Sequence, residues 1–229
     1  MLQTCVQSHQ ASCLHLDFKN LPRRLLDVGT KDRSSSIKLI STNQITQKDT
    51  VNYITLSHCW GKKHNLLRTT TQNLAQHLRE IPWIALCKTF KDSVRITRGL
   101  GIQYLWIDSI CIVQDDISEW KSESTNMGNI YSNSFLTLAA TGSASGSGGC
   151  LFSRYISYDN GKETKRRDVK IVSGSHNGIA FEVHARNAQG SAHRQLMNHK
   201  IDDMRSAPLL TRAWCFQERL MSVNSAFPL

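Results

Sequence analysis

Gln103–Ala140 reads QYLWIDSICIVQDDISEWKSESTNMGNIYSNSFLTLAA. Its first six residues, Gln103–Asp108, are an apolar and aromatic run too short for a helix, which predicts a buried strand. Asp115 and Asp116, with Glu119 following, mark a helix start, because carboxylates accept the orphan N–H groups of a first turn and suit its dipole. Behind them Ile117, Trp120, Ser124, Met127 and Tyr131 recur at three- and four-residue steps, as one face of a helix does. Phe135–Ala140 is again strand-like. Strand, helix and strand in this order predict an α/β layered domain whose sheet is at least partly parallel.

The pattern extends in both directions. Tyr53–Leu56 reads as a strand ending at Ser57. Leu74, Leu78 and Ile81 place a helix over Thr70–Ile81, with Pro82 as its stop. Phe90, Val94 and Thr97 place another over Lys88–Leu100, ended by Gly99 or Gly101. Thr141–Gly149 (TGSASGSGG) reads as a flexible connector, since it lacks the Gly-Lys-Ser/Thr ending of a phosphate-binding loop. Asp168–Ser173 and Ile179–His184 alternate as a β-hairpin would, and Arg212–Met221 is a last helix. Residues 1–50 form a leader or arm with a strand pair near Arg24–Val28 and Ile37–Ser41. Residues 51–229 form the main domain, which stops just after its last motif and so reads as a domain cut short.

Composition narrows the classes. The chain has 229 residues, 40% hydrophobic and 20% charged, enough to bury a core. Its net charge of +10 is divided: +3 over residues 1–50, +6 over 51–100, −4 over 101–150 and +5 over 151–229. A basic tail is excluded, and nucleic-acid-reading motifs are absent. The N-terminus lacks the charged and apolar regions of a signal peptide. The longest uncharged run, Ser124–Ser153, is too rich in Ser, Asn, Thr and Gly to span a bilayer. Seven widely spaced cysteines and no Asn-x-Ser/Thr acceptor site fit free thiols in a reducing, cytoplasmic setting.

Three segments concentrate rare residues: Leu56–Gly61 (LSHCWG), Trp106–Asp116 (WIDSICIVQDD) and Arg212–Leu220 (RAWCFQERL). The first two lie at the carboxyl ends of strands, where open α/β sheets hold ligands. Their order and gaps resemble the heterokaryon-incompatibility (HET) domain of filamentous fungi, over roughly Tyr53–Leu220. That resemblance implies a part in non-self recognition and regulated cell death. It also implies a remote similarity to Toll/interleukin-receptor (TIR) domains, many of which hydrolyse NAD. A TIR-like fold with insertions and the β-hairpin is the expectation that follows.

On the same resemblance, Trp214–Leu220 is similar to the setting of the TIR catalytic carboxylate, which implies Glu218 as the catalytic residue and NAD as the substrate. Breaking the nicotinamide–ribose bond develops an oxocarbenium-like sugar, as in glycoside hydrolysis, and a carboxylate in a partly desolvated pocket stabilises that charge. Ser57, Trp60, Gly61, Asp108, Gln114, Trp214 and Gln217 are the candidate substrate-binding residues. No cofactor is required. A non-catalytic adaptor acting by self-association, as a homo-oligomer or with a signalling partner, is the alternative.

Each candidate has a plainer reading. Glu218 can be an ordinary helix carboxylate paired with a cation, and Asp108 can cap the next helix instead of holding a ribose diol. Trp106 and Trp120 read as core packing, whereas Trp60, beside Gly61, reads as the stacking residue. His58-Cys59 suggests a cysteine hydrolase, but adjacent residues on an extended chain face opposite ways and cannot pair. Cys5, His9, Cys13 and His15 have zinc-ligand chemistry. In a continuous helix Cys5 and Cys13 lie ~12 Å apart, too far to share one ion at ~2.3 Å per bond.

Overall fold

The structure is a computed structural model that describes residues 21–30, 36–46, 51–61, 66–151, 156–159, 162–165, 169–176, 179–185, 208–212, 218, 222 and 225–226. The Cys5, His9, Cys13 and His15 cluster, Trp214 and Gln217 lie outside them. Two compact units divide the chain: Met1–Cys150 with Ala207–Pro228, and Leu151–Ser206 with Leu229.

The first unit is built on a sheet of six described strands: β1 (Arg24–Asp27), β2 (Lys38–Ser41), β3 (Tyr53–Ser57), β4 (Tyr104–Trp106), β5 (Leu136–Ala139) and β10 (Ser225–Ala226). Their spatial order is β10-β5-β3-β4-β1-β2. The β10–β5, β5–β3 and β3–β4 pairs are parallel, and β4–β1 and β1–β2 are antiparallel. This is the partly parallel α/β sheet that the alternation predicts. Every residue of β3 and β5 is buried, as expected for parallel strands covered on both faces. Both strands expected in the leader pair with each other, and β1 also pairs with β4. The sheet therefore takes strands from both sides of the boundary drawn at residue 50.

Four described helices serve this sheet: α1 (Leu74–Arg79), α2 (Lys88–Gly99), α3 (Asp108–Cys111) and α4 (Ile117–Ser132). On α2, Phe90, Val94 and Thr97 are buried as their spacing requires. The α1 stripe differs from expectation: Leu78 is exposed and His77 is buried. The physical reason is a polar anchor, because Thr69 Oγ1 meets His77 Nδ1 at 2.8 Å and donates to the Ile110 carbonyl at 2.6 Å.

Asp116 does cap α4, its Oδ1 accepting the Ser118 and Glu119 N–H groups at 3.0 Å each. The face that α4 buries matches the expected stripe only toward its C-terminal end, where Tyr131 is buried and Met127 packs against the core. Ile117 is 71% and Trp120 45% exposed, while Glu119 and Glu123 are buried with Ile130 and Tyr131. Arg24 of β1 forms an ion pair with Glu119, and its Nε donates to the Cys111 carbonyl at 3.0 Å. A buried cation thus turns the carboxylates inward. At the far end of α4, Tyr53 donates its hydroxyl to the Ile130 carbonyl at 2.6 Å, and Trp106 packs edge-on against Tyr131. Trp106 is fully buried core, as read.

Thr141–Gly149 is not a loose connector. Gly146 carbonyl accepts the Thr89 N–H at 2.9 Å, Gly149 N–H donates to Thr89 Oγ1 at 3.1 Å, and Cys150 N–H to Asp92 Oδ2 at 3.1 Å. The segment thus exchanges hydrogen bonds with the start of α2, the Gly146 carbonyl serving as an acceptor where the N-cap Cys87 offers no side-chain bond. Its glycines are required by closeness: a Cβ on Gly146 would lie 2.8 Å from Cys87 Sγ and 2.9 Å from Leu66 Cδ1.

The second unit contains two antiparallel pairs, β6 (Ile156–Asp159) with β7 (Lys162–Lys165) and β8 (Val169–His176) with β9 (Ile179–Ala185). The latter is the predicted hairpin. Among the described residues, no helix is long and apolar enough to cross a membrane.

Candidate functional site

The order β5-β3-β4 makes β3 the strand from which the chain departs in both directions, and the crevice at such a carboxyl edge is where α/β folds bind ligands. Ser57 ends β3, with Trp60 and Gly61 in the loop beyond it. Asp108 and Gln114 follow β4. These segments border a cleft of about 310 Å³ lined by Trp60, Asp108, Ile112, Gln114, Trp120, Ser124, Met127, Arg212 and Glu218. That volume is near the lower end for ligand pockets, ~300–1,000 Å³.

Glu218 is 6% exposed, and its Oε2 accepts a hydrogen bond from Ser57 Oγ. The two residues stand 161 positions apart in the chain. Their meeting is braced from behind. Thr55 and Thr137, register partners on β3 and β5, touch through their hydroxyls at 2.7 Å, and Thr137 reaches Ser222 Oγ at 2.7 Å. Ser222 in turn donates to the Glu218 carbonyl at 2.6 Å. A hydroxyl chain along the parallel strands therefore fixes the backbone that carries the carboxylate. Glu218 is therefore a buried carboxylate rather than a surface one.

Asp108 is held rather than loose. Its Oδ2 accepts the Trp60 indole N–H at 2.9 Å and its Oδ1 the Ser109 N–H at 2.6 Å. The Trp60 bond fixes the indole as one wall of the cleft. Gln114 turns its amide inward on the chain, donating to the Asp108 and Ile112 carbonyls at 3.0 and 3.1 Å; it shapes the loop while lining the cleft. Gly61 does not line it. Its φ of +79° and a would-be Cβ 2.7 Å from Ser145 Cβ show a glycine needed for a turn packed against the 141–149 loop.

Sequence reasoning placed Trp120 in the core, but it lines the cleft with Ser124 and Met127, one face of α4 at helical spacing. The stripe was legible; the side it faces was not. Arg212 was not singled out, although it belongs to the third motif. It follows a 3₁₀ turn, Pro208–Thr211, whose Leu209 is buried against Cys59 and Ala139. One of its guanidinium nitrogens donates to the His58 carbonyl.

His58 lies beneath the cleft, 3% exposed, with Nδ1 3.8 Å from Asp108 Oδ1 and the ring edge-on to Phe90. Neither ring nitrogen has a hydrogen-bond partner of normal geometry among the described residues. Burial lowers its pKa below the ordinary imidazole value; Asp108 and the Leu56 carbonyl oppose that shift and Arg212 adds to it. Burial also pushes up the Cys59 thiol, and pushes Cys111 and Cys150 up to about 12. A thiol nucleophile needs the opposite shift, so the cysteine-hydrolase reading has no support here.

Among the described residues the cleft thus gathers two carboxylates, one guanidinium, two indoles and a methionine. All three sequence motifs contribute to it. The model of the heterokaryon incompatibility protein (HET) family matches residues 53–218, well over half of the chain. No curated protein and no solved structure matches it. Its first match residue opens β3 and its last is Glu218 itself, so the matched span runs from one side of the cleft to the other, and the chain belongs to the heterokaryon incompatibility protein (HET) family.

Proposed function

We propose that this heterokaryon-incompatibility domain hydrolyses NAD at the nicotinamide–ribose bond, in a cytoplasmic cell-death response. The observation that carries the reading is the buried Glu218 carboxylate, held by Ser57 at the rim of an indole-walled cleft. Trp60 and Trp120 offer flat apolar faces for the cationic nicotinamide ring. Two carboxylates favour a positively charged ring and sugar. In the reaction, water oxygen bonds to the ribose C1′ as the C1′–N bond breaks. The bonding electron pair returns to the ring nitrogen, neutral nicotinamide leaves, and the water releases one proton. Glu218 faces the developing sugar cation, and the Ser57 hydrogen bond keeps one of its oxygens oriented.

The test is nicotinamide release by wild type beside Glu218→Gln, at high protein concentration so that assembly is not limiting. Release by wild type and its loss in the variant is expected. Equal release, or none from concentrated wild type, removes the reading. Trp83 and Ile84, which are 38% and 85% exposed on a 3₁₀ turn, favour the second reading, an adaptor that self-associates. In that case Ile84→Glu abolishes assembly while Glu218→Gln changes nothing.

A further inference from the structure

We propose that the cleft selects 5′-phosphorylated nucleosides over unphosphorylated ones, and that Arg212 is the residue that docks the phosphate. The proposal deepens the nucleotide reading above and rests on it. Among the described residues that line the cleft, Arg212 is the one that carries a positive charge, and it shares the cleft with Asp108 and Glu218. Two carboxylates make a small cleft hostile to an anion unless one position in it is reserved for negative charge. Among the described residues no carboxylate forms an ion pair with Arg212, although two line the same space.

The guanidinium is instead tethered by a neutral acceptor. One nitrogen donates to the His58 carbonyl, and the side chain also reaches the Cys59 thiol with a hydrogen bond. A guanidinium has five N–H donors in a planar fork, so this tether leaves donors for a phosphate in the bidentate geometry that Arg favours. The tether also sets direction. It fixes Arg212 to the loop that carries Trp60, so ring-stacking wall and anion anchor come from one short segment and its neighbour. The backbone below Arg212 is equally fixed, by Leu209 packed against Cys59 and Ala139 and by the Arg212 N–H bonded to the Leu209 carbonyl at 3.2 Å. A flexible surface cation would not be anchored at both ends.

The experiment compares nicotinamide mononucleotide with nicotinamide riboside, which differ by a single phosphate, by calorimetry on the whole chain. Glu218→Gln serves as the background so that neither probe turns over. The mononucleotide should bind roughly tenfold to a hundredfold tighter than the riboside, the range of a charge-assisted contact. Adding Arg212→Gln should bring that ratio to about one by removing this contact, with riboside affinity unchanged. Arg212→Lys should restore part of it, as a point charge without the fork. A ratio near one in the background protein, a ratio that survives Arg212→Gln, or binding of neither probe overturns the proposal. Should Arg212→Gln fail to fold, the background protein and Arg212→Lys still decide it.

Turnover is read separately in the wild type. Equal nicotinamide release from both probes would sink the phosphate anchor and leave hydrolysis standing. Phosphate selection without release would do the reverse.

Discussion

Arg24→Ala should unfold the first unit far more readily than its position on an edge-side strand suggests. The Arg24 side chain is 7% exposed and that of Glu119 is 5%. Glu119 Oε1 also accepts the Val113 N–H at 2.8 Å, and Arg24 Nε holds the Cys111 carbonyl at 3.0 Å. Truncation leaves a buried carboxylate without its close cation and a buried carbonyl without its donor. Arg23 cannot substitute, because it is 58% exposed and 3.7 Å away, where solvent screens it. Removing one partner of a buried pair costs about 3–5 kcal/mol. With a urea slope of about 1–3 kcal/mol/M, the midpoint falls by about 1 M or more. Glu119→Leu should fall by a similar amount. The double variant Arg24→Ala/Glu119→Leu removes both partners of the pair and should lie well above the sum of the singles, with a coupling of more than about 2 kcal/mol. Urea unfolding of the four proteins, followed by the fluorescence of buried Trp106, measures it. Single variants within about 0.5 kcal/mol of wild type, or additive effects, would refute the reasoning.

Two further outcomes follow from local geometry. Gly61→Ala should destabilise by more than about 1 kcal/mol, and by more than Gly101→Ala. Both have positive φ, but only Gly61 has an atom within 3 Å of the added Cβ; equal shifts in thermal midpoint would contradict this. His58 has a folded pKa below its unfolded value of about 6.5, so the unfolded chain binds more protons in acid. Its contribution is present above pH 6.5 and is lost as pH falls through and below that value. His58→Leu should therefore flatten the drop in stability between about pH 7.5 and 5.5, and an unchanged slope would show that the ring is not buried neutral.

The sheet was legible because its strands are short apolar runs bounded by polar turns, and Tyr53–Ser57, Tyr104–Trp106 and Leu136–Ala139 needed nothing distant to define them. Helix starts were equally local: Asp116 caps α4 through its own next turn. Errors arose where a contact outside the segment decides the outcome. Periodicity on α4 picks out Trp120, but the buried face is set by Arg24, 95 positions upstream of Glu119. A helix with carboxylates on one face and aromatics on another gives no local sign of which will meet a cation. The 141–149 loop was misread for a similar reason. Small residues look flexible in sequence, and only α2, 60 positions earlier, shows that they are small because the backbones approach closely.

The candidate site was half legible. Ser57, Trp60, Asp108 and Gln114 could be nominated from strand ends alone, and Glu218 only through its motif. What sequence does not contain is the polarity of the cleft. It depends on Ser57 reaching Glu218 across 161 positions, and on Arg212 being tied to a carbonyl rather than to either carboxylate. If Arg212 had closed on Glu218, the two charges would cancel and the cleft would be a structural ion pair with little to offer a ligand. Instead the negative charge is braced by Ser57 and the hydroxyl chain behind it, and the positive charge by a neutral carbonyl. Opposite charges held at separate positions in one small cleft suit a ligand that brings a positive centre to one end and a negative group to the other. This charge layout is the physical reason to expect a phosphorylated, cationic ligand at this edge of the sheet.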